Sequence, residues 1–517
     1  MRIKKIATRK GFAPSRPTIL GLLLATIAAM MLLLSACNSE VAILTPQTLD
    51  EVLDIANHRR QDIIRDQDID RIHALIYGRE APGTDWPWLF DNPWVHFISR
   101  DYALEDTRLF FDLMRHYYGA YTYFGGDEVF LPILDNLLET IAQRDYMSAS
   151  LLAGMIHSYL SPIVRDNHFW LYPNVFEARY LFFTCETPFD RTNNGFRHRD
   201  TGKYLAEIEG HDIDYALRLT VDESGRFFYT PVLVIPYQRR YIYLVQYTYT
   251  CGEYETARLL PTGVMPPSAD TPPSLTFENG VPVVSLRRNM PNLIYTPFDG
   301  SQGYFPGEAD LFLSFAHMLT DEPVIILDLR TNVGGFPTLA ESWLYYLTGE
   351  IVPTSADFIG FQGMSPPEDM SLLPDDWYLW FNPTDTMDEF WEAYAERFGC
   401  HVPIDDYRSL AHNEIRLVPN DTLIILLVDR FSASAAEVFT SKILNMQNTL
   451  VIGQNTFGTL LTNSSLPLTL PNTGIPFIMG TSLVVHPYGT WQEGIGYAPD
   501  VWVIGDALAA ALAMLEQ

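Results

Sequence analysis

The segment Arg430-Phe431-Ser432-Ala433-Ser434-Ala435-Ala436-Glu437 sets two serines where an apolar run hands over to a helix-forming one. A serine at that junction has two physical uses. Its hydroxyl can cap the helix by accepting an otherwise unpaired N–H of the first turn. Alternatively, Ser434 stands on a tight turn as a nucleophile, and the N–H of Ala435 points at the spot where an oxyanion would form. A second segment, Thr331-Asn332-Val333-Gly334-Gly335, also follows an apolar run. Gly334 and Gly335 offer bare backbone there, where a Cβ would obstruct a substrate carbonyl. On the nucleophile reading the two segments would be complementary halves of an acyl-transfer site, and neither contains a base.

Both halves need a scaffold that brings two strand ends together. Val324–Leu329 reads as a buried strand, followed by the glycine turn and a helix from about 337 to 347. The order recurs as strand Leu423–Val428, turn Asp429–Ser434 and helix Ala435–Met446, with a further strand at Leu450–Ile452. Repeated strand-turn-helix units build a layered α/β sheet, here over 275–517. A Pro-, Trp- and acid-rich stretch at 352–412 interrupts it and reads as an insertion. Upstream, residues 51–170 carry apolar residues at helical spacing, as in Phe130-Leu131-Ile133-Leu134-Leu137-Leu138-Ile141. Residues 171–262 change to β-branched and aromatic alternation, a small β-rich module, and 262–274 is a Pro-rich linker.

On these residues a resemblance can be named. Asp328-Leu329-Arg330-Thr331-Asn332-Val333-Gly334-Gly335 resembles a segment of the tail-specific (carboxyl-terminal-processing) serine proteases, and Ser432–Glu437 resembles their nucleophile segment. Gly453-Gln454-Asn455-Thr456-Phe457-Gly458 and Glu493-Gly494-Ile495-Gly496-Tyr497-Ala498-Pro499-Asp500 are similar to two further motifs, in the same order. The resemblance implies a crotonase-like (ClpP/crotonase) α/β protease core, a peptide or protein substrate, no metal and no organic cofactor. It also implies that Ser434 is the nucleophile and that Ala435 with Gly334 or Gly335 forms the oxyanion hole. Most members place a lysine base after Thr-Phe-Gly, but this chain has Thr459, which cannot accept a proton at neutral pH. The tricorn-like branch instead uses a histidine and a glutamate. Asp166-Asn167-His168 resembles its histidine segment, which makes His168 the expected base and Glu493 its orienting carboxylate. That branch bridges the two through a serine, whose place is taken here by Asn167. Residues 203–260 resemble a worn PDZ-like module, with Glu209-Gly210 where such modules have an Asn-Gly turn and no clear carboxylate-binding loop.

Composition narrows the remaining classes. The 517 residues carry 34 Lys+Arg against 63 Asp+Glu, a formal net charge of −29, which disfavours nucleic acid as a partner. Hydrophobic residues at 47% exclude a disordered chain, and four cysteines cannot staple so long a fold. The first 36 residues read as a lipoprotein signal peptide. A basic start is followed by an uncharged run from Pro17 and by Leu34-Ser35-Ala36-Cys37. Cleavage there leaves Cys37 for lipidation and 37–50 as a linker, with the body exported and held at a bacterial membrane. A plain membrane-anchoring helix is the alternative, because about 20 apolar residues span a bilayer. Cys185 and Cys251 are either paired or buried free thiols. No zinc-ribbon, zincin or phosphate-loop pattern is present. A rival class stays open, in which a non-catalytic crotonase-like surface lipoprotein binds peptide, glycan or lipid in the same cleft.

Overall fold

The computed structural model describes residues 42–65, 92–237, 242–262, 271–287, 307–335, 337–352, 357–360, 417–462, 468–480, 482–485 and 492–516. The expected signal peptide, Cys37, Cys400, most of the 352–412 insertion and 263–270 of the linker lie outside the described residues.

The centre of the molecule is a six-stranded sheet. Its order is Ser274–Glu278, Val281–Ser285, Val324–Asp328, Leu423–Val428, Thr449–Gly453 and Val501–Trp502. The first pair is antiparallel and every other neighbour is parallel. Parallel strands are covered on both faces, which is why their sequences read as unbroken apolar runs. On one face Ile424, Leu426, Val428 and Val451 meet Trp343 and Phe439 from the helices Thr338–Thr348 and Ala435–Ile443. On the other, Ile425, Leu427, Leu450 and Ile452 meet the N-terminal helix Leu49–Arg65 and the C-terminal helix Ala507–Leu515. Each of these buried aliphatic side chains contributes about 1.5–3 kcal/mol relative to exposure.

An ionic clasp adds to that second face. Buried Arg60 donates to both Thr449 O, at 2.9 Å, and Asp500 Oδ2, at 2.7 Å. Asp500 in turn accepts the Val451 N–H at 2.8 Å. The last residue of the Glu493–Asp500 motif therefore ties the chain's beginning to its central sheet.

The helices Arg100–Tyr117 and Ala149–Leu160 start at the serine caps Ser99 and Ser148, with Ser148 Oγ accepting the Leu151 N–H at 3.1 Å, and Gly126–Ala142 starts after Gly125. They do not close a core among themselves. Phe110, Met114, Phe130 and Ile156 share one cluster with Leu460, Leu461, Leu468, Phe477 and Leu483 from the far end of the chain. Residues 180–261 form an antiparallel sheet. Its order is Gly195–His198, Phe189–Thr192, Phe227–Pro236, Tyr180–Thr184, Tyr254–Pro261, Tyr243–Tyr249 and Leu205–Ile208, with Leu217–Val221 paired to Phe227–Pro236. Its alternating residues Val245, Tyr247, Tyr249, Ala257 and Leu259 fill a core of their own. Cys185 and Cys251 are free thiols, and Cys251 is exposed rather than buried. Among the described residues no helix is long and apolar enough to cross a membrane.

The architecture is mixed α/β, with a six-stranded, mainly parallel sheet at its centre. In-register pairing sets Asp328 opposite Leu427, so the two strands end side by side. The glycine turn after one and the serine turn after the other then emerge at the same edge.

Candidate active site

Ser434 sits on a sharp turn with φ +53° and ψ −115°, a backbone region that costs a non-glycine residue on the order of 1–3 kcal/mol. Glu437, fully buried on the first turn of the following helix, holds it there. One carboxylate oxygen accepts the Ser434 N–H at 3.0 Å and the Thr459 N–H at 2.7 Å. The other accepts Thr456 Oγ1 at 2.7 Å and the Gly458 N–H at 2.9 Å. The Glu437 N–H pairs with the Ser434 carbonyl at 2.8 Å, and Ser434 and Glu437 together form the capping box of the helix. The neighbouring serine is structural, because Ser432 Oγ donates to Leu329 O at 2.8 Å inside the protein.

Gly334 lies directly against the serine turn. A Cβ there would stand 2.7 Å from Ser434 Cβ and 2.8 Å from Ala433 O, so only glycine allows the approach. Its N–H donates to Asn332 Oδ1 at 3.0 Å. This corrects the expectation that Gly334 could supply an oxyanion donor. Ala435 N–H, the first of the helix, has no acceptor among the described residues, and Gly335 follows at φ +135°.

The base expected from sequence meets the expected nucleophile. His168 Nε2 lies 3.2 Å from Ser434 Oγ across a separation of 266 residues. Phe169 and Phe176, fully buried in the helical cluster, anchor the loop that carries it. Nδ1 lies 2.7 Å from the Thr462 carbonyl oxygen, which can only accept. Nδ1 therefore carries the proton and Nε2 presents its lone pair to Ser434.

Glu493 comes to the same site and has no direct hydrogen bond to the imidazole among the described residues. Its carboxylate accepts backbone N–H groups of Asn167 at 2.6 Å, Leu461 at 2.9 Å and Leu460 at 3.2 Å. Asn167 ties the same segments together: Nδ2 donates to Gly458 O at 2.7 Å, and Oδ1 accepts the Ala178 N–H at 3.0 Å. Burial, then the nearby Asp166 charge, pushes the Glu493 carboxyl well above its usual range. Asp166 is also raised by burial, opposed by His168 and by hydrogen bonds from Tyr118 and Thr462. Arg430 braces the floor of the site. It donates to Ile495 O and Gly494 O, both at 2.9 Å, and lies over the Phe182 ring at 4.4 Å. Burial lowers this guanidinium to about 10.

Three participants are not legible in the sequence. Thr462 acts through a main-chain carbonyl, which has no residue signature. Asp166 and Glu437 stand inside recognisable motifs without a role that residue type alone assigns. A buried carboxylate beside a turn is nevertheless a common way to collect orphan N–H groups.

Thr459 stands where a lysine base would be expected, and its buried hydroxyl has no partner among the described residues. Thr459→Val should leave turnover within about twofold. It should also hold or raise the thermal midpoint, because removing an unsatisfied buried hydroxyl recovers up to about 1 kcal/mol. A tenfold loss of activity would return a catalytic role to this position.

Residues 307–503 match the model of Peptidase family S41. Among solved structures the chain is similar to mature CPAF, at 15% identity and TM-score 0.39, covering 81% of this chain and 95% of that one. The photosystem II D1 C-terminal processing protease matches at 14% and TM-score 0.33, covering 78% and 92%. The tricorn protease matches at 10% and TM-score 0.33, covering 81% of this chain and 37% of its own. No curated protein matches the chain.

Proposed function

We propose, from the premise that the chain is a serine-type peptidase with a family S41 core over residues 307–503, that Ser434 and His168 hydrolyse peptide bonds through an acyl-enzyme. The observation that carries the reading is the 3.2 Å contact between His168 Nε2 and Ser434 Oγ, with Nδ1 occupied by a carbonyl. Ser434 Oγ attacks the scissile carbonyl carbon as its proton passes to Nε2. The N–H groups of Ala435 and Gly335 receive the oxyanion. Collapse of the tetrahedral intermediate expels the amine, which takes the proton from His168. Water then attacks the acyl group, Nε2 takes its proton, and Ser434 is regenerated. Glu493 serves the reaction by fixing the chain around Asn167, next to the base, in place of a direct bond to the ring.

In this proposal the core is crotonase-like, a reading supported by its repeated strand-turn-helix units. The 171–262 module is PDZ-like, supported by the strand Leu205–Ile208 ending at the Glu209-Gly210 turn. The chain is exported and lipidated at Cys37 in a bacterial cell envelope, as the order of basic start, apolar run and Leu34-Ser35-Ala36-Cys37 indicates.

A fluorophosphonate probe tests the chemistry. The folded full-length chain should be labelled on the peptide containing Ser434, and Ser434→Ala should abolish labelling and peptide turnover together. Turnover that survives in Ser434→Ala would overturn the assignment.

A further inference from the structure

Resting on the Ser434–His168 reading above, we infer that Asp166, acting through Thr462, is the residue that positions the His168 imidazole. The sequence alone assigns that role to Glu493.

The fixed polar support of the ring on its Nδ1 side is the Thr462 carbonyl, at 2.7 Å. A carbonyl orients a ring only as well as its own residue is held. Thr462 is fully buried, and its Oγ1 donates to Asp166 Oδ2 at 2.9 Å. The other oxygen of the same carboxylate, Oδ1, accepts the main-chain N–H of His168 at 3.0 Å. The residue that carries the ring and the residue that steers it therefore converge on one side chain. Tyr118 OH completes the shell at 2.7 Å to Oδ2.

All three partners donate, so Asp166 acts as an acceptor, the role of an ionised carboxylate. Its charge then lies close to the imidazole, where it stabilises the imidazolium formed when Ser434 gives up its proton. Glu493 makes a contrasting set of bonds, all to main-chain N–H groups of Asn167, Leu460 and Leu461. It is a clamp on the backbone.

The test uses full-length protein, a peptide substrate, and the variants Thr462→Val, Thr462→Ser and Asp166→Asn. Thr462→Val keeps the carbonyl but cuts its tether. It should lower kcat by about 10–100-fold, as loss of an orienting partner typically does, with KM unchanged. Thr462→Ser should restore kcat to within about threefold of wild type. Asp166→Asn should lower kcat at least as far. Asp166→Asn also removes a charge that bears on Tyr118 and Glu493, whereas the Thr462 variants leave both groups as they are. The inference is overturned if Thr462→Val and Asp166→Asn keep wild-type kcat while His168→Ala is inactive. Should Asp166→Asn fail to fold, the Val and Ser pair at 462 decides alone. An inactive wild type that the fluorophosphonate does not label would instead sink the underlying peptidase mechanism.

Discussion

His168→Ala should reduce peptide turnover by at least about a hundredfold while the protein stays folded. Losing a general base alone typically costs 10²–10⁴-fold, and losing one member of a nucleophile–base unit can cost up to about 10⁶-fold. The higher figure is the relevant ceiling here. Without the imidazole, the described residues offer Ser434 Oγ no other proton acceptor, since Glu437 is occupied by four donors. Folding should survive because the ring is only half-buried and the loop around it is anchored by Phe169 and Phe176. Steady-state kinetics beside a thermal melt check both halves of the expectation. Near-full activity in a correctly folded His168→Ala protein would remove this residue from the mechanism.

Glu437→Ala should be damaging in a different way, striking stability and activity at once. The side chain is fully buried, and its removal strands the N–H groups of Ser434, Gly458 and Thr459 and the hydroxyl of Thr456. Each unsatisfied buried donor costs about 1–3 kcal/mol, so a loss of roughly 4 kcal/mol or more is expected even after relaxation. Ser434 would then be free to leave its strained turn. Turnover should fall by at least about a thousandfold, comparable to losing an oxyanion donor outright. Glu437→Gln, which keeps one acceptor oxygen, should fall between the two on both measures. A Glu437→Ala protein that melts like wild type and turns over within a few-fold of it would show that the turn is held by something else.

The contrast between what the chain spells out and what it conceals follows from the kind of group involved. Unbroken apolar runs such as Leu423–Val428 mark the central strands because both faces are covered, and the observed strand has those same ends. The helix after Ser434 reads as continuing to Met446 but ends at Ile443, where Leu444 bonds back to Thr440 and closes the last turn. Ser434 and His168 are visible because side-chain chemistry leaves a mark on residue type. The Nδ1-side support of His168 is not visible in the sequence because it is a main-chain oxygen, and any residue could stand at 462 and supply one. The missing Cβ of Gly334 is the right signal for its contact with Ser434, but nothing local announces that Asn332 claims its N–H. The sharing of one core by the helices at 100–160 and residues 460–483 is equally hidden, because periodicity shows which face is apolar and not what covers it.

The wide separation of base and nucleophile along the chain also governs when the protein can cut during its own manufacture. Chains emerge from the ribosome N-terminal end first. The imidazole is therefore exposed early, with nothing to activate and no carbonyl to hold it. Ser434 follows much later, then Thr462, and after both the Glu493 clamp. A partly made molecule has no working pair with which to digest itself or its neighbours. In the proposed mechanism the pair becomes competent only once residues 166–168 close on 434–493.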